Sequence, residues 1–114
     1  MTKPTVVAVA PDCSSFDVFY PQPSLILSPP QPAPGDVVDV VGYDLVPNDY
    51  LLRMGAPSSD VGVTLGRVTV TDDGRLTAKF SIAYSPPMHG CVLVFAASDP
   101  PAARFYHSVV FGLP

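Results

Sequence analysis

The 114-residue sequence contains no glutamate and no tryptophan, and it has only two lysines and two glutamines. Residues that favour exposed helices are therefore scarce. Fifteen prolines would interrupt any helix longer than a few turns. These features exclude an all-α fold and argue against an alternating βαβ arrangement. Because 47% of the residues are hydrophobic, the chain is still apolar enough to bury a core. We therefore expect one all-β domain.

The sequence also has little positive charge and no long apolar run. Its net charge is −4 and its six basic residues never cluster, so nucleic-acid binding is not expected. No apolar run approaches the ~20 residues that cross a bilayer, so no membrane insertion is expected. The apolar run Val6–Ala10 that follows Lys3 is too short for the core of a signal peptide. If Met1 is the native start, this predicts a chain without its own export signal; if Met1 is not native, the inference does not hold.

Signatures of catalysis are missing as well. There is no Gly-x-Ser-x-Gly elbow, no phosphate-binding glycine loop and no His-Glu-x-x-His. Eight of the ten aspartates lie within two residues of a proline or glycine, which places most of them in predicted turns, where their side chains cap backbone amides. His89 and Cys91 are close in sequence, but neither His107 nor any cysteine pair supplies further metal ligands at suitable spacing. Asp72 and Asp73 alone offer too few oxygens for calcium. We expect no enzyme, no metal and no cofactor.

Short runs of β-branched and aromatic residues, separated by proline, glycine and aspartate, predict seven strands. These runs are residues 24–28, 37–41, 50–54, 65–71, 75–82, 91–97 and 105–111. Asp72-Asp73-Gly74 predicts a hairpin between the fourth and fifth runs, because Asp-Gly supplies the positive φ of a tight turn. Seven short strands at this spacing are typical of a β-sandwich.

Residues 24–114 resemble the immunoglobulin-like surface modules of bacteria and phages, of the IPT/TIG type. The resemblance rests on Ser24–Pro29, on Pro34–Gly42 with its Pro-Gly-Asp and alternating valines, on Asp72–Leu76 and on Gly90–Ala97. It implies a single immunoglobulin-like β-sandwich of about seven strands, without shared catalytic residues. Residues 1–23 fall outside the pattern and form an N-terminal arm. Two apolar stretches in the arm, at residues 5–10 and 16–20, allow extra strands.

Alternation along the strands predicts which side chains face the core. In the fifth strand, the inward side chains are Leu76, Ala78, Phe80 and Ile82. By analogy with the family pattern, the inward side chains of the sixth strand are Val92, Val94 and Ala96, which leaves Cys91, Leu93, Phe95 and Ala97 outside. The last strand is apolar on both sides, with Phe105, Val109 and Phe111 on one face and Tyr106 and Val110 on the other.

A sheet face that carries Leu93 and Phe95 is expected to be covered, because large bare apolar patches usually mark interfaces. Two covers are available. The arm can fold back over the sheet, or another subunit can bind there, with an extended arm added as a strand to a neighbour's edge. The predicted interface residues are Leu93, Phe95, Val6, Val9, Phe16 and Phe19.

The two cysteines lie in the arm and on this outer face. A Cys13–Cys91 disulfide would staple the arm onto the sheet and contribute up to ~4–5 kcal/mol in the chain-entropy model. The alternative is two reduced, separately buried thiols, which a reducing compartment favours.

These features favour a non-enzymatic structural or adhesion module that acts by protein–protein contacts within an oligomer or larger particle. If Met1 is native, a virion component such as a capsid-decorating or tail protein is expected; otherwise a bacterial cell-surface module is equally consistent. The expected location is therefore a virion or the extracellular or cell surface. The alternative function is a small-ligand carrier similar to the neocarzinostatin-like sandwiches, although this chain lacks the cysteines for their two disulfides.

Overall fold

The computed structural model describes residues 10–57, 62–86, 88–98 and 105–114. A 3₁₀ helix (Ser14–Val18) precedes the strands. The strands are β1 (Leu25–Ser28), β2 (Val37–Gly42), β3 (Asn48–Gly55), β4 (Gly62–Val70), β5 (Leu76–Ser81), β6 (Gly90–Ser98), β7 (Phe105–His107) and β8 (Phe111–Leu113). Within the described ranges, no helix is long and apolar enough to cross a membrane.

The strands form two antiparallel sheets. The first has three strands in the order β1-β2-β5, and the second has five, in the order β4-β3-β6-β7 with β8 also paired to β6. The predicted all-β architecture of two sheets is thereby confirmed.

The main core lies between the two sheets and draws on both. The alternation predicted for β5 is confirmed, since Leu76 and Phe80 are buried while Thr77 and Lys79 are exposed. The buried members of this core are Leu25, Leu27, Val38, Val40, Leu45, Tyr50, Leu52, Met54, Val70, Leu76, Phe80, Ile82, Val92, Val94, Ala96, Phe111 and Leu113.

The predicted hairpin between β4 and β5 is wrong. The turn itself is present, with Gly74 at φ +70° and its amide bonded to the Thr71 carbonyl at 2.9 Å. However, β4 pairs with β3 and β5 pairs with β2. The Gly74 carbonyl instead accepts the amide of Leu45, at 2.9 Å. The tight turn therefore carries the chain from one sheet to the other rather than between paired neighbours.

The last predicted strand is divided in two by an extra residue. Three steps along β6, from Phe95 to Val92, correspond to four along its partner, from His107 to Phe111. Ser108 lies fully buried at this bulge: its amide donates to the Val94 carbonyl (2.8 Å), and its Oγ accepts the Val94 amide (2.9 Å). Because an extra residue reverses the alternation, Phe105 and Phe111 face opposite sides of the sheet, which corrects the single-face prediction.

Candidate functional site: a sheet face covered by the N-terminal arm

A second, smaller apolar cluster lies on the side of the five-stranded sheet that points away from the main core. Its buried members are Cys13, Leu93, Phe95 and Val110, with Phe16, Tyr20 and Cys91 packed against them. We call this side of the sheet the covered face. Its residues come from β6, from the segment after the Ser108 bulge and from the arm, so a strand that is apolar on both sides separates two hydrophobic layers.

The arm is shaped locally by hydrogen bonds of its own backbone. The Asp12 carboxylate accepts the amide of Ser14 at 3.0 Å, and the Cys13 carbonyl accepts the amide of Phe16 at 3.1 Å. Pro21 follows Tyr20 directly and disfavours further helix. The apolar stretch at residues 16–20 therefore forms a 3₁₀ turn and no strand, and the stretch at residues 5–10 lies outside the described residues apart from Ala10.

The Ser14 backbone amide holds the pKa of the Asp12 carboxyl below its ordinary value of 3.8, with a smaller effect of the Ser14 side chain in the same direction. The carboxylate form is thus favoured by the folded arm.

A disulfide joins the arm to the sheet. Cys13 and Cys91 are bonded, 78 residues apart in sequence. Cys13 is the buried residue of the arm, packed against the covered face, and Cys91 lies near the start of β6. The described chain therefore contains the staple considered from the sequence rather than two separate thiols, and Cys91 is not available as a metal ligand.

A glycine in β8 allows the arm to come this close. Gly112 pairs with Cys91 in the sheet. A Cβ built on Gly112 would collide with the carbonyl oxygen of Pro11 and come within 2.9 Å of its ring. An unsubstituted Cα is thus required where the arm crosses β8, which is a common use of glycine inside a strand.

Aromatic contacts hold the other end of the arm. Tyr20 meets His107 of β7 edge to face, with 5.4 Å between ring centroids. On the same face, Phe95 stacks on Phe105 with centroids 5.3 Å apart. The arm is therefore anchored at Pro11, at Cys13 and at Tyr20.

The predicted interface residues differ widely in exposure. Leu93 and Phe95 are only 2% and 4% exposed, because the arm of the same chain lies over them. They are consequently not accessible to a partner while the arm is docked. Phe16 is half-buried in the same cluster, whereas Phe19 is 76% exposed. Val6 and Val9 lie outside the described residues.

The structure adds exposed apolar residues that the sequence analysis did not select. Val18 is 81% exposed beside Phe19, and Phe105 is 53% exposed at the sheet edge. The many apolar residues of the arm indicated from the sequence that some of them take part in contacts. Which of them point outward depends on the 3₁₀ turn, which the sequence analysis did not predict. For Gly112, an isolated glycine in an apolar strand was a signal for a close backbone approach.

The remaining polar groups of interest are dispersed. The Nδ1 of His89 lies within hydrogen-bond distance of the Pro114 carbonyl, and that of His107 lies 2.9 Å from the Ser108 carbonyl. Among the described residues, no three histidine, cysteine or acidic side chains are grouped to hold a metal ion. A shallow depression open to solvent is lined by Pro47, Asn48, Asp49, Thr69, Val70, Thr71 and Asp72.

Comparison with protein-family models, with curated proteins and with solved structures finds no match for this chain. A functional assignment therefore depends on the geometry of the covered face and of the arm over it.

Proposed function

We propose that this chain is a non-enzymatic structural or adhesion module that acts by protein–protein contacts within a larger assembly, such as a phage virion or a bacterial cell surface. The observation that carries this proposal is the presentation of Val18 and Phe19. They are 81% and 76% exposed on an arm that is anchored by a disulfide. Large apolar side chains grouped at a surface usually mark contact sites, and a fixed arm loses less conformational entropy on binding.

The strand order supports an immunoglobulin-like module of the IPT/TIG type for residues 24–114. The first two strands share a sheet with the fifth, and the third shares the other sheet with the sixth and with the last segments. Immunoglobulin-like sandwiches divide their strands in a similar way. Since such folds host many functions, this argument supports the architecture, and the exposed arm supports the role.

The Cys13–Cys91 disulfide supports a location at a virion or cell surface. Disulfides form and persist in oxidising environments, including the surfaces of virions and cells, and they are rare in reducing compartments. In an oxidising environment the staple would keep the arm in its docked position.

The proposal is tested by sedimentation of the tagged chain from its natural host. We expect the wild-type chain to migrate with a high-mass virion or envelope fraction, and we expect Phe19→Asp to release it into the low-mass fraction. The matched control is Ile26→Asp. Ile26 is 57% exposed on the outward side of the three-stranded sheet, so a charge there should leave attachment unchanged.

Both variants are first checked for folding by circular dichroism. A wild-type chain that sediments only as a free single chain would contradict the proposal. Equal release by Phe19→Asp and Ile26→Asp would show that the arm is not the contact site.

A further inference from the structure

The course of the arm over the sheet can be followed from its anchors. Pro11 lies on Gly112, and Cys13 is bonded to Cys91, which is paired with Gly112. Tyr20 lies against His107, farther along the sheet at the level of Phe95. The chain from Pro11 to Tyr20 therefore runs in the direction of β6 and opposite to β8.

This direction determines where the preceding chain leaves the sandwich. Ala10 is exposed and is followed by proline, which favours an extended conformation at Ala10 and disfavours a reversal there. Pro11 already lies beside the last residues of β8, and the sheet surface next to it is occupied by Cys13. A chain that continues upstream in an extended conformation therefore leaves at the end of its own sheet.

Residues 5–9 have the composition of a strand that needs cover on both sides. Their sequence is Thr-Val-Val-Ala-Val, which is rich in β-branched residues and uncharged. In a strand, residues 5, 7 and 9 would face one side of the sheet and residues 6 and 8 the other, and all are apolar except Thr5. Such a strand would bury the most apolar surface beside a strand that has apolar neighbours on both faces of its sheet.

The edge formed by β7 and β8 has this property. On it, Phe105 and Val110 belong to the covered face, whereas Tyr106 and Phe111 contact the main core. All described backbone pairing of these two segments is with β6, so their other edge is open within the described residues.

The other described edges are not apolar on both sides: the outward residues of β4 and β5 are polar, and those of β1 are mixed. The outward residues are Thr64, Arg67 and Thr69 on β4, Thr77, Lys79 and Ser81 on β5, and Ile26 and Ser28 on β1. Of these edges, that of β7 and β8 matches residues 5–9 best.

We propose that residues 5–9 of one copy add as a strand to the β7–β8 edge of a second copy of this chain. This rests on the proposed function and names a partner for it. Only Ala10 separates residues 5–9 from Pro11, which lies on Gly112 of the donor, so donor and acceptor sandwiches are in direct contact. The added strand covers Phe105, which is 53% exposed in the single chain. The donor and acceptor surfaces are different parts of the chain. Two copies can therefore exchange arms to form a dimer, or successive copies can join head to tail into a ring or a filament.

The proposal is tested with the full chain by isotope-resolved photo-cross-linking. An unlabelled chain carries benzoylphenylalanine in place of Phe105. It is mixed with an equal amount of ¹⁵N-labelled wild-type chain, and the mixture is unfolded in denaturant and refolded so that copies exchange. After irradiation, reduction and proteolysis, the partner peptides are identified by mass spectrometry. We expect cross-links to residues 5–9, with light and heavy partner peptides in similar amounts. Light partner peptides alone would show that each chain contacts its own arm, and this result or the absence of cross-links to residues 5–9 overturns the proposal.

A matched pair of variants measures the strand itself. Val7→Pro removes a backbone donor, whereas Val7→Thr keeps a β-branched residue. We expect Val7→Pro to weaken self-association in sedimentation equilibrium about tenfold or more, and Val7→Thr to change it by less than about threefold. Equal association of Val7→Pro and wild type overturns the proposal.

The two proposals fail separately. If self-association is absent while the wild-type chain still sediments with a high-mass fraction in a Phe19-dependent way, residues 5–9 do not join copies and the assembly role stands. If the high-mass fraction is absent as well, the assembly role also fails.

Discussion

The two outward faces of the sandwich differ in what lies over them. On the three-stranded sheet most outward side chains are exposed, and the ion pair of Lys79 with Asp39, at 3.6 Å, lies at the surface. We call this side the bare face. On the five-stranded sheet, Leu93 and Phe95 lie beneath the arm at 2% and 4% exposure. One sheet thus contributes to a single core, and the other contributes to two.

This difference shows what the arm does in the fold. A two-sheet sandwich needs only the core between its sheets. The bare face mixes polar side chains with Ile26 and Val37, and it remains open to solvent at 57% and 55% exposure of these two residues. The covered face carries additional apolar residues, so it requires a cover, and the cover requires anchors at Cys13 and Pro11. The arm in turn displays Val18 and Phe19. The arm therefore buries the apolar side chains of the sheet and at the same time exposes apolar side chains of its own.

Removing the disulfide that holds the arm should have the largest effect, because the arm is what distinguishes the covered face from the bare face. We expect Cys13→Ser together with Cys91→Ser to lower the free energy of unfolding by about 2–5 kcal/mol. The arm loses its covalent anchor, so the amides of residues 13–20 should exchange faster. Urea denaturation and hydrogen exchange measure the two effects.

The matched control acts on the bare face. Lys79→Met removes the exposed ion pair and should change stability by about 0.5 kcal/mol or less. If the double serine variant were as stable as wild type and its arm equally protected, the arm would be held by its apolar contacts alone.

The next largest effect compares one side chain on each face. Leu93→Ala should cost about 2–5 kcal/mol, because it opens a cavity under the arm. Ile26→Ala, at a site that is 57% exposed, should cost about 0.5 kcal/mol or less. Equal and small costs in denaturant unfolding would mean that the arm does not shield Leu93 in solution.

Gly112→Ala tests the close approach of the arm. The added methyl group collides with Pro11, so we expect a loss of about 1–3 kcal/mol from overpacking. In the double serine background the arm is free to move aside, and the cost should shrink. A double-mutant cycle measures this coupling. An unchanged cost in that background would place the strain within β8 itself.

Local patterns in the sequence predicted the faces of single strands better than the relations between strands. Alternation separated Val92 and Val94 from Leu93 and Phe95, because this property depends only on the period of the backbone. Both sets are apolar, and it was the family resemblance that correctly indicated which set faces the main core. The turn at Gly74 was also predicted correctly from the sequence. The sheet to which β5 belongs was not, because the pairing of β5 with β2 depends on tertiary contacts that the turn residues do not determine.

The bulge and the arm illustrate the same limit. Ser108 replaces a backbone acceptor with its side chain, and nothing in its neighbours distinguishes it from a serine in a regular strand. In the arm, apolar content predicted burial in general. The 3₁₀ turn then placed Phe16 against the sheet and Phe19 in solvent, a division that strand alternation does not describe.

The smallest expected effect concerns acid and the start of the arm. The pKa of Asp12 is lowered from 3.8 by the Ser14 amide, and that of Asp73 by the Arg75 amide and the Thr71 hydroxyl. A lowered pKa in the folded state stabilises the fold fully above pH 3.8, and this contribution is lost as the pH falls through the lower, folded value.

NMR titration should therefore show midpoints below 3.8 for both carboxyls. In the double serine variant, the Asp12 midpoint should return towards 3.8, because the amide of Ser14 is no longer held in place, while that of Asp73 should stay low. Asp12→Asn should abolish the acid-dependent shift of the Ser14 amide signal. If both midpoints remained low without the disulfide, the turn at Asp12 would form independently of arm docking.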